Sequence, residues 1–410
     1  MAEADRVRAL ESNLRLYGWH QIVSGLLFWM PTSFLFFLER VDLGPALRLL
    51  ALYFLAVVVL EVPSGWMSDR FGRVRTLRTG ALSWIVAFAV FVLSGDSVLL
   101  LGVGQVLIAA GFAALSGTTS AFHFDTLEAL ERSNEFERRE SAVARNGLVG
   151  TAVAVLIGGV LGLVDLRLPY VASLTAACLQ FTITMKMSEI GHHDLRPLPT
   201  LDATRVRDVV RYLKHPGLAW IFVFMIVQQP LEGLALDQIQ PWLALLTGNS
   251  LDDSGSAPLL SGLLVAVISL VGAASAATSH RLRSSIGLRP ALVLLASIEA
   301  LILVGMALTV SAWLLPLLAL RSTQVGAGPV LVSAATAPLL ARNHRATFLS
   351  LGSLAGRLTY GTALAGLGFV ADFDTVLTIS AAIGVGSVGV LIASGLILGQ
   401  DPNDNRQSNP

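Results

Sequence analysis

Residues 43–75 read LGPALRLLALYFLAVVVLEVPSGWMSDRFGRVR. From Leu49 to Leu60 the run is apolar without interruption. Extended to 44–66 it has the length a bilayer crossing demands, about 20 residues of helix. Inside hydrocarbon only intrahelical hydrogen bonds satisfy the backbone, so such a run reads as a spanning helix. It ends abruptly in charge: Asp69, Arg70, Arg73 and Arg75 follow within one short turn. An apolar span that opens onto a basic loop leaves the membrane on its positively charged side.

The same pattern recurs along the chain. Candidate spans fall at 16–38, 44–66, 76–95, 98–124, 146–165, 168–187, 217–246, 258–280, 290–310, 312–337, 346–370 and 375–398. Composition agrees: 54% of the 410 residues are hydrophobic and 14% charged, against about 25% charged in a soluble domain. With both termini in the cytoplasm, most of the 28 lysines and arginines fall on one side. Arg40, Arg48 and Arg167 are left outside, and Arg321 and Arg357 lie within spans. A missed span would scramble that asymmetry. The expected fold is an all-α membrane protein of twelve transmembrane helices in two pseudo-symmetric six-helix bundles, multi-pass in the inner (cytoplasmic) membrane.

The longest polar stretch between spans, 188–216, separates six spans from six. It divides the chain into an N-terminal bundle (1–187), a cytoplasmic linker (188–216), a C-terminal bundle (217–399) and a polar tail (400–410), read as disordered. Within the linker, 203–214 has the pattern of an amphipathic surface helix. His192, His193 and Asp194 lack further ligands at metal spacing and read as solvated linker. The N-terminus mixes acids and bases without an apolar core, unlike a signal peptide. Its Val7, Leu10 and Leu14 sit at helical spacing, which predicts a short helix on the membrane surface. The single cysteine, Cys178, excludes an internal disulfide. No metal or other cofactor is expected. A formal net charge of zero gives no field for nucleic acid.

Gly65-x-x-x-Asp69-Arg70-x-Gly72-Arg73-x-Arg75, preceded by Glu61-x-Pro63, resembles the signature loop of the major facilitator superfamily between its second and third helices. The resemblance covers about residues 15–400. It implies a secondary transporter in which this loop gates the cytoplasmic side. The residues carry that role on their own chemistry. Gly65 and Gly72 permit close approach and a tight turn. Asp69 can accept from Arg73 or Arg70, or face a helix N-terminus. The second half echoes the loop only in part, at Ser279-His280-Arg281 and Gly287-Leu288-Arg289. Drug–proton antiporters of the family carry a fourth-helix arginine, where Leu107 stands here, and a Gly-Pro motif in the fifth helix. Residues 147–162 have glycines but no proline, and read as close-packing positions.

Ionisable residues inside spans are costly and face a partner or a cavity. Glu299 and Arg357 lie deepest, with Glu232 and Arg321 further out and Asp237 nearer the outer end. All belong to the second half. The expectation is that Glu232 or Glu299 pairs with Arg357 or Arg321 and exchanges a proton; a permanent structural ion pair is the alternative. Gln228-Gln229-Pro230 interrupts span seven, and broken helices line transport sites. Those glutamines serve either a ligand or neighbouring helices. Trp29, in span one, and Asp125, at the end of span four, complete the candidates. His123 and Asp125 point about 200° apart on a helix and do not share a site. Together these residues point to a monomeric transporter with a small-molecule substrate and a coupling proton, in the lipid bilayer. Efflux of an amphiphilic or drug-like compound is the expected direction, uptake of a nutrient or metabolite the alternative. A membrane-embedded enzyme or a non-transporting receptor stands further off.

Overall fold

A computed structural model describes residues 2–190, 210–251, 253–341 and 344–398. The linker histidines, most of the predicted amphipathic helix and the polar tail lie outside these residues. Every regular element described is helical. Ten helices or helix runs are long and apolar enough to cross a membrane among the described residues. The two remaining expected spans are helical but differ in kind. The first, expected as one run over 16–38, is broken. Helix α1 (Ala2–Ser24) ends before Gly25, and a 3-10 turn (Met30–Thr32) leads into α2 (Ser33–Leu38). Pro31 is the second residue of that turn, where its missing N–H has no partner to lose within the turn. The eleventh forms α14 (Arg345–Leu367), whose serines, threonines and two arginines dilute its apolar character.

The motif loop joins α3 (Leu43–Phe71) to α4 (Arg73–Leu93) with a single residue between them, Gly72, at φ 107°. That backbone region disfavours any residue with a Cβ. The expected run over 98–124 is two helices end to end, α5 (Val98–Leu115) and α6 (Thr118–Ala129), hinged where Gly117 has φ 72°. Then follow α7 (Phe136–Gly162) and α8 (Leu168–Lys186). Helix α9 (Pro216–Leu246) contains Pro230 and Pro241 and is continuous through both. It is followed by α10 (Ala257–Ile286) and α11 (Leu288–Leu308). A short α12 (Leu315–Ala319) precedes α13 (Ser322–Thr336), and α15 (Phe373–Ile397) is the last described helix.

Two compact units emerge, Met1–Pro199 with Leu251–Ala266, and Thr200–Ser250 with Val267–Pro410. In the first, α1 does not lie on a surface. It runs into the bundle and buries Leu10 and Tyr17 among Val74, Leu77, Phe122, Ile183, Met187 and Ile190. Asn13 fixes it to the end of α8: its Nδ2 donates to the Ser188 carbonyl (2.9 Å) and its Oδ1 accepts from the Ser188 N–H (3.0 Å). Helical periodicity is the same for a surface stripe and a buried one, so spacing alone could not separate the two readings. Near the same face Arg132 and Arg139 both donate to Glu135 and hold its carboxyl at about 2. It is therefore charged at any physiological pH, and the clamp between the two arginines persists.

Candidate functional site

The first constellation grows from the motif loop. Arg73 follows Asp69 by four residues across the Gly72 turn, and its Nη1 donates to the Asp69 carboxylate at 2.6 Å and to Ser68 Oγ at 2.9 Å. Its Nε donates to Asp125 on α6 at 3.2 Å. Thr118 Oγ1 donates in turn to Ser68. One guanidinium thus joins α3, α4 and α6. The two arms differ in environment: the Asp125 side chain is 4% exposed and that of Asp69 60%. Arg70 takes no part, and stacks on Trp66 instead. Glu61 accepts from Ser116 Oγ at 3.4 Å, beside the α5–α6 hinge.

Two acids absent from the sequence expectations complete this face. Glu189, beyond α8, accepts from the main-chain N–H groups of Val74 (3.2 Å) and Arg75 (3.3 Å), so it caps α4. Gly72 lies directly beneath that carboxylate, where a Cβ would come within 2.6 Å of it. Glu140 on α7 accepts from Tyr17 (3.0 Å) and Ser120 (2.7 Å) and meets His123 Nδ1 at 2.6 Å. His123 and Asp125 accordingly engage different partners, as their helical spacing requires. Neither Glu189 nor Glu140 carries a local signal; each acts across more than 100 residues on at least one partner. Trp29 lies elsewhere in this unit, in an aromatic group with Phe88 and Tyr170, and its indole Nε1 is buried without a partner.

The second constellation lies wholly inside the other unit. Helices α9 and α14 run side by side in constant register. Gly352 abuts Met225, Gly356 abuts Gln229, and Tyr360 lies over Gly233 and donates to Asp237. Each step is four residues on both helices, so one face of α14 follows one face of α9. The small residues permit the approach. Gln229 therefore serves helix packing through its stem. Gln228 and Gln324 both flank Gly328 on α13. One turn further along α9, Glu232 stands where α13 begins, and Arg321 Nη2 donates to its main-chain carbonyl at 2.9 Å.

That contact differs from one of the expected pairings, Arg321 with the Glu232 carboxylate. Arg321 meets the Glu232 carbonyl and not its carboxylate. A backbone carbonyl has two lone pairs, so the Glu232 carbonyl takes a guanidinium donor without regard to its own side chain. Glu299 on α11 is fully buried, and neither of its carboxyl oxygens has a hydrogen-bond partner. Arg321 and Glu232 act on it electrostatically, and Arg321 also acts on Asp237. Arg321 is itself buried, with Nε unpartnered. Gln324, one turn away, is buried with both amide atoms unpartnered. Arg357 is half-buried next to Gly356. Three intramembrane carboxyls, Glu232, Asp237 and Glu299, thus belong to the same unit as the Arg321 guanidinium, whose contact there is the Glu232 carbonyl. Among the described residues, no group of three or more His, Cys, Asp or Glu is arranged to hold a metal ion.

Gly233 controls this arrangement. A Cβ there would come within 2.3 Å of the Tyr360 ring. Gly233→Ala is expected to displace the ring and break its bond to Asp237, leaving that carboxyl uncompensated at a cost of about 1–3 kcal/mol. Thermal unfolding in detergent checks it: Tyr360→Phe alone should give a loss of similar size, because it removes the same bond to Asp237 without the clash.

Many membrane-crossing helices with ionisable groups held inside them define a multi-pass membrane protein of the transporter class. The sequence profile of the Major Facilitator Superfamily matches residues 21–364, and the chain belongs to that family. It is a transporter and not an enzyme, with a small-molecule substrate. Solved structures share the fold. A variant of the nucleoside transporter NupG superposes with a TM-score of 0.74 at 13% identity, covering 94% of this chain and 99% of that one. The D-xylose-proton symporter gives 0.67 at 12%, covering 97% and 100%. A bacterial homolog of the human lysosomal transporter Spinster, inward-facing and unoccupied, gives 0.69 at 14%, covering 97% and 99%. At such identities the likeness establishes the fold. No curated protein sequence matches the chain.

Proposed function

We propose that this protein is a proton-coupled secondary transporter of the cytoplasmic membrane that exports an amphiphilic compound by alternating access, as a monomer. Glu299 carries the reading. A carboxyl that is fully buried with no hydrogen bond on either oxygen is tolerable when it holds a proton or when a nearby guanidinium offsets its charge. Arg321 is positioned to make that difference, because its only hydrogen bond in the cluster goes to a carbonyl. Loss of a proton from Glu299 would draw Arg321 toward it and away from α9. Movement of one helix against another is thereby linked to proton occupancy. The Asp69–Arg73–Asp125 bridge acts at a separate place, as a latch on the conformational equilibrium. Export of an amphiphile is supported by the aromatic group of Trp29, Phe88 and Tyr170 in the first unit. Uptake is the competing direction, and the nucleoside transporter and the D-xylose-proton symporter share the fold.

The test is proton flux in reconstituted vesicles. A pH gradient is imposed, cationic, anionic and neutral amphiphiles are added in turn, and lumenal pH is followed. Wild type should show compound-dependent flux, and Glu299→Gln should lose it while retaining its fold by gel filtration. Flux that is unchanged in Glu299→Gln removes the carboxyl from coupling. Nucleosides or sugars driving flux where amphiphiles do not would favour uptake.

A further inference from the structure

A groove of about 710 Å³ lies on the outside of the first unit, between α3 and α5. Pro45, Arg48, Leu49 and Leu52 form one wall and Val98, Leu99, Val103 and Val106 the other. Gly102 is its floor: with no side chain, it leaves the space above Leu49 and Leu52 open, and a Cβ there would stand at 3.4 Å from Leu52 Cδ2. The two helices are tied beneath it by Gln105 Nε2, which donates to the Leu49 carbonyl at 3.0 Å. They run parallel, since α4 returns the chain between them, so residues 42 and 96 lie at one level and 48 and 102 at another. The groove has the size of an ordinary small-molecule site, roughly 300–1,000 Å³. In a bilayer an apolar groove is filled by an acyl chain, because an unfilled wall forfeits its dispersion contacts.

The charges at its mouth select the headgroup. Arg48 is the single charged residue in the lining. Asp42 and Asp96 are exposed just before the two helices begin, each six residues ahead of Arg48 and Gly102 and so nearer the water-facing ends. A cation at the groove with two anions above it complements a headgroup whose phosphate lies deeper than its ammonium. An anionic headgroup would meet the two aspartates unfavourably. We propose that this groove is a binding site for a zwitterionic phospholipid with a primary ammonium, phosphatidylethanolamine by chemistry. One acyl chain lies over Gly102, the phosphate is on Arg48 and the ammonium faces Asp42 and Asp96.

The experiment uses the full chain in detergent, stripped of lipid and titrated with phosphatidylethanolamine or phosphatidylglycerol, with bound lipid counted by native mass spectrometry. Wild type should retain phosphatidylethanolamine at about 2- to 5-fold lower lipid concentration than phosphatidylglycerol, the factor expected of partly exposed charge pairs. Arg48→Gln should weaken both lipids. Asp42→Asn combined with Asp96→Asn should erase the preference while leaving phosphatidylglycerol binding intact or improved. Gly102→Leu should reduce occupancy by both, because it fills the groove; Val103→Phe does the same from the wall and serves if the first variant does not elute as a single species. Phosphatidylglycerol bound as tightly as phosphatidylethanolamine by the wild type, or binding unchanged when the groove is filled, overturns the assignment. None of these readouts depends on the transported compound or on proton coupling.

Discussion

Arg73→Gln is expected to lower stability far more than Asp69→Asn, although the two side chains are bonded to each other at 2.6 Å. The reason is the other arm. Asp125 is nearly buried at 4% exposure, and Arg73 Nε is its ion-pair partner. Removing one member of a buried pair strands the other, at about 3–5 kcal/mol. The Arg73 side chain is itself 13% exposed, so the loss should fall toward the low end of that range. Asp69 is 60% exposed, and a solvated i,i+4 pair contributes only about 0–1 kcal/mol. Thermal unfolding in detergent ranks the variants. Asp125→Asn added to Arg73→Gln should restore part of the loss, since the stranded charge is then gone. Equal destabilisation by Arg73→Gln and Asp69→Asn would mean that the exposed arm dominates and that Asp125 is solvated. The ordering also bears on the proposed latch. A bridge whose strength resides in Asp125 reports on the position of α6, whereas one residing in Asp69 reports only on its own turn.

Much of this fold is legible in one dimension, because the bilayer imposes a length and a charge asymmetry that local sequence carries. The apolar run Leu49–Leu60 and the basic turn after it placed α3 and its exit without reference to any other helix. What escaped was set by contacts across the chain. At the break after Ser24, Gly25 lies against the Gly147 carbonyl of α7, and nothing within 16–38 records that neighbour. The hinge at Gly117 depends on a positive φ that a glycine permits and does not compel. Among site residues, Asp69 and Arg73 were readable because an acid and a base so close in sequence, on either side of one tight turn, are within reach of each other. The intramembrane acids and arginines were readable because hydrocarbon makes them rare. Their partners were not. Arg321 chose a carbonyl, a group every residue possesses and no sequence marks. Tyr360 and Gln324 became visible only once the register of α14 on α9 and the burial of α13 were known.

Gly326→Ala is expected to be among the most damaging single-methyl changes in the second unit, and Gly386→Ala to be harmless or mildly stabilising. Both glycines lie within apolar helices, α13 and α15, and propensity alone would predict the same small gain for each, about 0.5–1 kcal/mol. Packing separates them. A Cβ on Gly326 would lie 2.0 Å from the carbonyl oxygen of Gly272 on α10 and 3.1 Å from the Ala276 nitrogen. Real Cβ atoms keep at least about 3.0 Å from such neighbours, so the helices would have to part by about 1 Å. The obstacle is backbone, which no change of rotamer can move. Separation would also disturb Ser275, whose hydroxyl donates to the Thr323 carbonyl across the same interface at 2.8 Å. Overpacking of this kind costs about 1–3 kcal/mol and sometimes more. Around Gly386 nothing lies within 4 Å, and an added methyl meets no protein atom. The measurement is the difference between the two melting temperatures under one detergent condition. A large drop for Gly326→Ala beside no drop for Gly386→Ala establishes that α10 and α13 meet through their backbones. Because Gly326 stands five residues after Arg321 on the same helix, parting that interface also shifts the guanidinium against Glu299 and α9. On the proposed proton-coupled reading, loss of compound-dependent proton flux in any Gly326 variant that still folds would be the functional counterpart of the same contact.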